Sequence, residues 1–228
     1  MRVDVVIPCF NAARYLGEAL RSVFDQGVPD LRVLLVDDGS TDDSAAIAQG
    51  FGPQVQVLRQ PNSGIAAARN RGIAQADAPW LAFLDADDVW TAGSLACRMA
   101  AFEAAEPSPD VVFGRLEQFV SPDLDEATRA RYRVDSRPAD ARFAGTLLAR
   151  REAFDRAGAF DPAYKVGEMI EWVARAEARG LRIVQIEDLV LRRRVHGNNT
   201  VLRQPPAQSD YLRALKGAID RRRAGGAS

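Results

Sequence analysis

The sequence has little cysteine, little histidine and no long apolar run. The cysteines argue against a cysteine-ligated metal site, and the lack of a long apolar run argues against a membrane-spanning helix. Its 228 residues include two cysteines and one histidine. Cys9 and Cys97 lack metal-ligand spacing, so we interpret both as packing residues in a reducing compartment. No stretch approaches the roughly 20 apolar residues of a membrane-spanning helix, and no signal-peptide pattern precedes the first strand. We therefore expect a soluble, cytoplasmic protein.

An excess of charge of one sign is also missing. The chain has 30 basic and 31 acidic residues, a formal net charge of -1. Nothing global therefore indicates binding to nucleic acid or to a membrane. Neither a G-x-G-x-x-G pattern nor a P-loop lysine occurs, so a dinucleotide or Walker-type phosphate site is unsupported. The 47% hydrophobic content predicts one sizeable core, hence one domain with an extension.

What the first half does contain is a regular alternation of strand and helix patterns. Apolar runs at 3–7, 31–36, 55–58 and 80–84 are separated by helical patterns, and Asn11 is placed to cap the first helix. This rhythm predicts right-handed crossovers and a mainly parallel sheet. The expected fold class is therefore α/β.

Acidic residues follow two of these buried strands. The run at 80–84 leads directly into Asp85, Asp87 and Asp88, and the run at 31–36 leads into Asp37 and Asp38. Carboxylates so close together repel one another unless a cation or hydroxyl groups meet them, and Mg²⁺ or Mn²⁺ accepts such oxygen ligands. The alternative is an acidic turn that caps the next helix. Because parallel strands end at one edge, where ligands bind, the two acidic ends favour the metal site.

The second half is less regular. Residues 121–142 lose all periodicity and predict either a flap that binds an acceptor or a disordered excursion. Glu168 and Glu171 lie on one face of a helix predicted over 167–179. They either compensate the helix dipole, with Glu171 paired to Arg175, or provide a general base.

The chain's one histidine follows three arginines. His196 comes directly after Arg192–Arg194, and arginines so placed are candidates for binding phosphate. A solitary histidine is more often a surface or satisfied residue than a ligand. Beyond it the sequence predicts a basic, helical C-terminal tail over 201–228, with the helix at 209–223.

Several segments, in this order, resemble the family 2 glycosyltransferases of the GT-A fold across residues 3–200. They are VVIPCFNAARYL, VLLVDDGSTDDS, PNSGIAAARNRGI, WLAFLDADD, the GAFDP turn, and GEMIEW leading to RRRVHGNN. The resemblance implies a GT-A domain at 1–200, with a nucleotide-binding half at 1–105 and an acceptor half at 106–200. It also implies an inverting transferase that moves a sugar from a nucleoside diphosphate donor, a UDP-sugar foremost, with Mn²⁺ or Mg²⁺. The acceptor stays open between a glycan, a lipid carrier and a peptide.

Site residues are implied position by position. Donor-nucleotide contacts would come from Pro8, Phe10, Asp38, Arg69 and Asp85, with Arg194 as the phosphate-binding candidate. Asp87 and His196 would hold the metal.

The late helix departs from the family pattern. Many relatives carry Glu-Asp at its head, whereas this chain has Glu168-Met169. Methionine cannot accept a proton, so Glu171 or Glu168 must serve as the catalytic base, and we favour Glu171. The alternative is a catalytically silent protein of the same fold that binds a nucleotide sugar.

Overall fold

The computed structural model describes residues 1–197, 212–214 and 216–217. The strands of this part are β1 (Arg2–Cys9), β2 (Asp30–Asp37), β3 (Val55–Arg59), β4 (Trp80–Phe83), β5 (Val89–Trp90), β6 (Val111–Val120), β7 (Ala139–Asp140), β8 (Leu147–Arg150) and β9 (Ile183–Val195). The helices are α1 (Ala13–Phe24), α2 (Ser44–Gln49), α3 (Ile65–Gln75), α4 (Ser94–Ala104), α5 (Glu126–Arg129), α6 (Arg151–Ala157) and α7 (Glu168–Ala178). The predicted α/β class is confirmed.

One sheet runs through the whole described fold, in the order β3-β2-β1-β4-β8-β6-β9-β5, with β7 paired to β6. The first four strands in this order are mutually parallel, as the strand and helix rhythm predicts. Past β4 the sheet is mixed, because β8 is antiparallel to both β4 and β6 while β9 is parallel to β6. The β5 strand, which follows the acidic turn, pairs with β9 and so places that turn beside the C-terminal part of β9.

The core has two layers, one on each face of the sheet. Side chains alternate along β1, so Val5 and Ile7 belong to the cluster under α1 and α4, whereas Val6 belongs to the cluster under α3 and α7. On the second face Gly72 of α3 lies so close to β1 that an added Cβ would come within 2.4 Å of Val6. The sheet edge that carries the predicted acids is therefore held between two packed helical layers.

Two predicted elements differ from the observed ones. The apolar runs at 181–186 and 189–191 predict two late strands, but they form one 13-residue strand, β9, because it pairs with β6 along its length, across a register shift, and with β5. The aperiodic 121–142 segment contains the short α5 and β7. Within the predicted tail helix, 212–214 and 216–217 are helical, and the rest of the tail lies outside the described residues. No helix in the described part is long and apolar enough to cross a membrane.

Candidate active site

The carboxyl ends of β1, β2 and β4 meet at one edge, and the loops that follow β1 and β2 are joined there. Asn11 donates its backbone N–H to Ser40 Oγ at 3.0 Å and accepts from the Thr41 N–H at 2.8 Å through its side chain. Ala12 donates its N–H to Ser44 Oγ at 2.9 Å. The expectation that Asn11 caps α1 is wrong, since α1 follows Ala12 without a side-chain cap. Its side-chain Oδ1 instead accepts a hydrogen bond from the loop that follows β2.

Asp38 is buried and fixes the loop after β3. Its carboxylate accepts hydrogen bonds from Gln60 Nε2 (2.7 Å), the Ser63 N–H (2.8 Å) and the Gly64 N–H (2.9 Å). Gly39, at φ 84°, faces the same loop, and a Cβ there would lie 3.0 Å from the Asn62 nitrogen. An ionised carboxylate has about four acceptor positions, so Asp38 has one left for a ligand N–H.

Pro8 and Phe10 form the adjoining rim. Pro8 is buried near the end of β1, past Val6, where the pairing with β4 ends, so its missing N–H costs no ladder bond to β4. Phe10 is 52% exposed, which is unusual for a phenylalanine and leaves a ring surface for a flat ligand. A cleft of about 300 Å³ opens nearby, lined by Asp37, Gly39, Ser40, Arg59, Gln60 and Pro61.

Arg69 of α3 joins two carboxylates at the centre of the edge. Its side chain is 3% exposed, and one terminal nitrogen donates to Asp85 Oδ1 at 2.7 Å while the other donates to Glu168. Burial lowers the pKa of the guanidinium, but the charges of Asp85 and Glu168 outweigh burial and leave that pKa raised. The turn after β4 and the start of α7 therefore meet through the Arg69 guanidinium.

Asp87 and His196 meet at the other side of the acidic turn. The distance from His196 Nε2 to Asp87 Oδ2 is 2.9 Å, and the ring of Tyr15 packs against the imidazole at 4.7 Å between centroids. His196 is buried, whereas the Asp87 side chain is 28% exposed. The sequence brings these residues together only through the pairing of β5 with β9.

The Asp87–His196 pair fits a small divalent cation. The carboxylate oxygen of Asp87 and the imidazole nitrogen of His196 lie 2.9 Å apart, and both are ligand types that Mg²⁺ or Mn²⁺ accepts. The described residues contain no group of three or more histidine, cysteine, aspartate or glutamate side chains arranged for a metal. Among the described residues, Asp87 and His196 would thus be the protein's ligands, and a phosphate-bearing ligand and water would supply others, as is usual for Mg²⁺.

Arg194 braces the acidic turn from β9. It is buried, and its N–H donates to Asp88 Oδ1 at 2.8 Å while its Nε donates to the Asp87 carbonyl at 2.9 Å. A terminal nitrogen pairs with Glu18 at 2.5 Å. Burial, then Asp87 and Asp85, raises the pKa of Asp88 well above its ordinary value. The alternative that the acidic turn caps the next helix fails for Asp88, because α4 is preceded by Gly93 at its N-cap.

The two candidate bases have different surroundings. Glu171 receives two hydrogen bonds from Arg175, at 2.9 and 3.1 Å, and Arg175 also donates to the Ala159 carbonyl at 2.8 Å. Glu168 uses Oε1 for Arg69, and its Oε2 accepts no hydrogen bond from any residue in the described part of the chain. Since Oε2 is not among the buried atoms that lack a partner, it reaches solvent. This geometry favours Glu168, although the sequence favours Glu171.

Sequence reasoning missed the residues that join the loops. Asn11, Ser40, Ser44 and Gln60 each make a contact between segments that are far apart in the chain. Their polar side chains lie in loops, where the local pattern indicates turns or caps. Only the pairing of two loops reveals their role.

Comparison with known proteins identifies the family of the chain. The model of the family described as glycosyl transferase family 2 matches residues 4–160. An uncharacterized glycosyltransferase of Nostoc sp. is 37% identical over 110 residues, which cover 46% of this chain and 34% of the relative. The succinoglycan biosynthesis protein ExoW of Rhizobium meliloti is 43% identical over 97 residues, which cover 40% of this chain and 30% of the relative. The matched segment thus spans about a third of these curated relatives' length.

Solved structures show the same fold. S. aureus TarS in complex with UDP-GlcNAc superposes with a TM-score of 0.76 at 19% identity, over 97% of this chain and 66% of that chain. The complex of TarS with UDP gives a TM-score of 0.72 at 20% identity. The fold is accordingly the GT-A fold of glycosyltransferases. Since the family model matches more than half of its residues, the chain belongs to glycosyl transferase family 2.

Proposed function

We propose that this protein is an inverting glycosyltransferase that transfers a sugar from a UDP-sugar to an acceptor hydroxyl with the help of Mn²⁺ or Mg²⁺. The observation that carries the proposal is the arrangement around Arg69. Arg69 links Asp85, two residues before the member of the Asp87–His196 pair that follows β4, to a glutamate with one open carboxylate oxygen. TarS, which shares the fold, binds UDP and UDP-GlcNAc, which supports a uridine nucleotide as the donor.

The donor would bind across the carboxyl edge of the sheet. The exposed ring of Phe10 offers a stacking surface for the base, and the remaining acceptor position of Asp38 suits a base N–H. Asp85 keeps one carboxylate oxygen for ribose hydroxyls while the other accepts from Arg69. Asp87 and His196 would hold the metal, which when bound offsets the negative charge that the diphosphate gains as it leaves.

The reaction is a direct displacement in which Glu168 accepts the proton. The acceptor oxygen forms a bond to the anomeric carbon of the sugar on the face opposite the diphosphate. As that bond forms, the bond from the carbon to the diphosphate oxygen breaks, and its electron pair leaves with UDP. The acceptor's proton passes to Oε2 of Glu168, whose other oxygen stays fixed by Arg69.

The test is UDP release from a panel of UDP-sugars with Mn²⁺, with water or simple glycosides as acceptors. We expect Glu168→Gln to lower kcat by about 10²–10⁴-fold, because a positioned general base contributes a factor of this size. Glu171→Gln is the matched control and retains activity, since both oxygens of Glu171 already bind Arg175. Asp87→Asn and chelation of the metal each abolish release. Full activity in Glu168→Gln would contradict this assignment.

A second candidate function is nucleotide-sugar binding without catalysis. The observation that favours it is Met169, a buried, non-ionisable residue at the position in α7 where the family resemblance implies an acid. The same panel decides between the two. Binding of UDP with Mn²⁺ by calorimetry, without UDP release from any donor, would establish the silent binder.

A further inference from the structure

Arg69 directs both of its terminal nitrogens to carboxylates of the protein. One terminal nitrogen donates to Asp85 of the β4–β5 turn at 2.7 Å, and the other donates to Glu168 at the start of α7. The side chain is 3% exposed, with its guanidinium 5.9 Å from the ring centroid of Phe160. Each terminal nitrogen therefore already donates to a carboxylate of the protein, whereas the family resemblance implies a contact of Arg69 with the nucleotide.

We propose that Arg69 is a positioning residue that sets the direction of the Glu168 carboxylate relative to Asp85. This inference rests on the proposed function, in which Asp85 contacts the donor and Glu168 accepts the proton. Because one guanidinium bonds both carboxylates, the position of the Glu168 carboxylate is fixed relative to Asp85 in the donor site and does not depend on α7 alone. A shift of about 1 Å at such a group can cost 10²-fold in rate, so the position of the Glu168 carboxylate matters for turnover.

The shape of the side chain supports the role. The planar guanidinium presents its donors in a fixed fork, which can serve two carboxylates in different directions at once. Nε of Arg69 is the one buried side-chain nitrogen or oxygen in the described residues that has no hydrogen-bond partner. The orientation of the guanidinium is therefore determined by the hydrogen bonds of its terminal nitrogens, and Nε is left without a hydrogen bond. A lysine ammonium at this position lacks the fork and would hold one carboxylate better than two.

The first experiment compares kinetics and binding in Arg69→Gln, Arg69→Lys and the control Arg175→Gln, with the UDP-sugar that wild type turns over best. We expect kcat to fall about 10²-fold in Arg69→Gln, with partial rescue in Arg69→Lys. The KM for the donor and the Kd for UDP with Mn²⁺ should stay within about threefold, because a positioning residue affects the transition state. Arg175→Gln, which unpairs Glu171, should keep its kcat. A parallel loss of UDP affinity and kcat, or an unchanged kcat, would overturn the proposal.

A second experiment needs no turnover. It measures the Tm of wild type, Arg69→Gln, Glu168→Gln and the double variant. Removing Arg69 leaves Glu168 as a buried carboxylate without its cation, so we expect Tm to fall by about 5–10 °C. In the Glu168→Gln background the same change should lower Tm by less than half as much, because the partner is already neutral. Equal shifts in the two backgrounds would show that Arg69 does not hold Glu168. If no UDP-sugar is turned over, the proposed function fails, yet this comparison still decides whether Arg69 holds the Glu168 carboxylate.

Discussion

Cys9 shows how burial changes the chemistry of a single residue. It lies in β1 with 2% of its surface exposed, and burial raises the pKa of its thiol from 9.0 to about 11. A thiol held in its neutral form is a poor nucleophile. The sequence interpretation of Cys9 as a packing residue agrees with this environment.

This shift predicts how stability depends on pH. Between pH 9.0 and about 11 the thiol ionises in the unfolded chain but keeps its proton in the folded one, so ionisation favours unfolding. Below pH 9.0 the contribution to stability is complete, and it is lost as the pH rises through about 11. We expect the free energy of unfolding of wild type, relative to Cys9→Ala, to fall by about 2 kcal/mol over this range. Urea titrations of both proteins test this, and a constant difference would contradict it.

The limits of sequence reasoning are also visible at single residues. The i, i+4 spacing of Glu171 and Arg175 predicts their pair, which the structure contains. That spacing cannot reveal that Glu168 meets Arg69, because the contact joins residues 99 positions apart. The local pattern therefore explains the pairing of Glu171 with Arg175. The contact of Glu168 with Arg69 depends on how α7 packs on α3, which the local pattern does not show.

Elements with complete local signals are predicted well. The run at 151–157 followed by glycine has the pattern of a short helix, and α6 has these bounds because Gly158 ends it in a conformation that favours glycine. The capping role predicted for Asn11 failed because its side chain has a better partner in a neighbouring loop. Start and stop signals thus succeed where no distant group competes for the same atoms.

Helix α3 packs on β1 through a glycine, which gives a prediction for that element. In Gly72→Ala the new Cβ would lie 2.4 Å from Val6 Cγ1, a buried group between sheet and helix. Overpacking costs about 1–3 kcal/mol, which exceeds the roughly 1 kcal/mol that alanine gains over glycine in a helix. We therefore expect a lower urea midpoint.

The matched control is Gly17→Ala in α1. There the nearest atom to the new Cβ is the flexible end of Arg21, at 3.5 Å. We expect stabilisation by about 0.5–1 kcal/mol, since only the helix propensity changes. A midpoint for Gly72→Ala at or above wild type would show that α3 can move away from the sheet without cost.

At the scale of the whole molecule, the second half of the chain is fastened to α3 by a reciprocal pair. Asn70 donates its side-chain amide to the Phe160 carbonyl at 2.8 Å and accepts from the Phe160 N–H at 2.9 Å. Phe160 packs against Phe83, Phe154 and Trp172. The turn before α7 is thereby held on the layer of α3.

Asn70→Ala should loosen this attachment. The substitution leaves the two backbone groups of Phe160 without partners, at a cost of about 1–3 kcal/mol in stability. Hydrogen exchange should become faster in peptides that cover 158–178, while peptides from β1 and β2 stay protected. The exposed Asn62→Ala serves as the control. Unchanged exchange over 158–178 would mean that apolar packing alone fixes the turn.

Sequence rhythm predicts the parallel strands of the first half because each strand is followed by a helix that returns the chain to the same edge. It does not predict that β8 enters antiparallel between β4 and β6, or that β9 reaches back to β5. These pairings lack short connections and so leave little local signal. The assignments of the metal and the donor therefore stay predictions, although the residues they name are together.

The pairing of Asp87 with His196 also affects the order of assembly. The two residues are 109 positions apart, and His196 directly follows β9, the last strand of the described fold. During folding, His196 does not reach Asp87 until β9 has paired with β5 and β6, even when the rest of this sheet edge has formed. In the proposed metal site, binding of a cation by both side chains would therefore require that β9 has paired, and it would stabilise the complete fold over less complete ones.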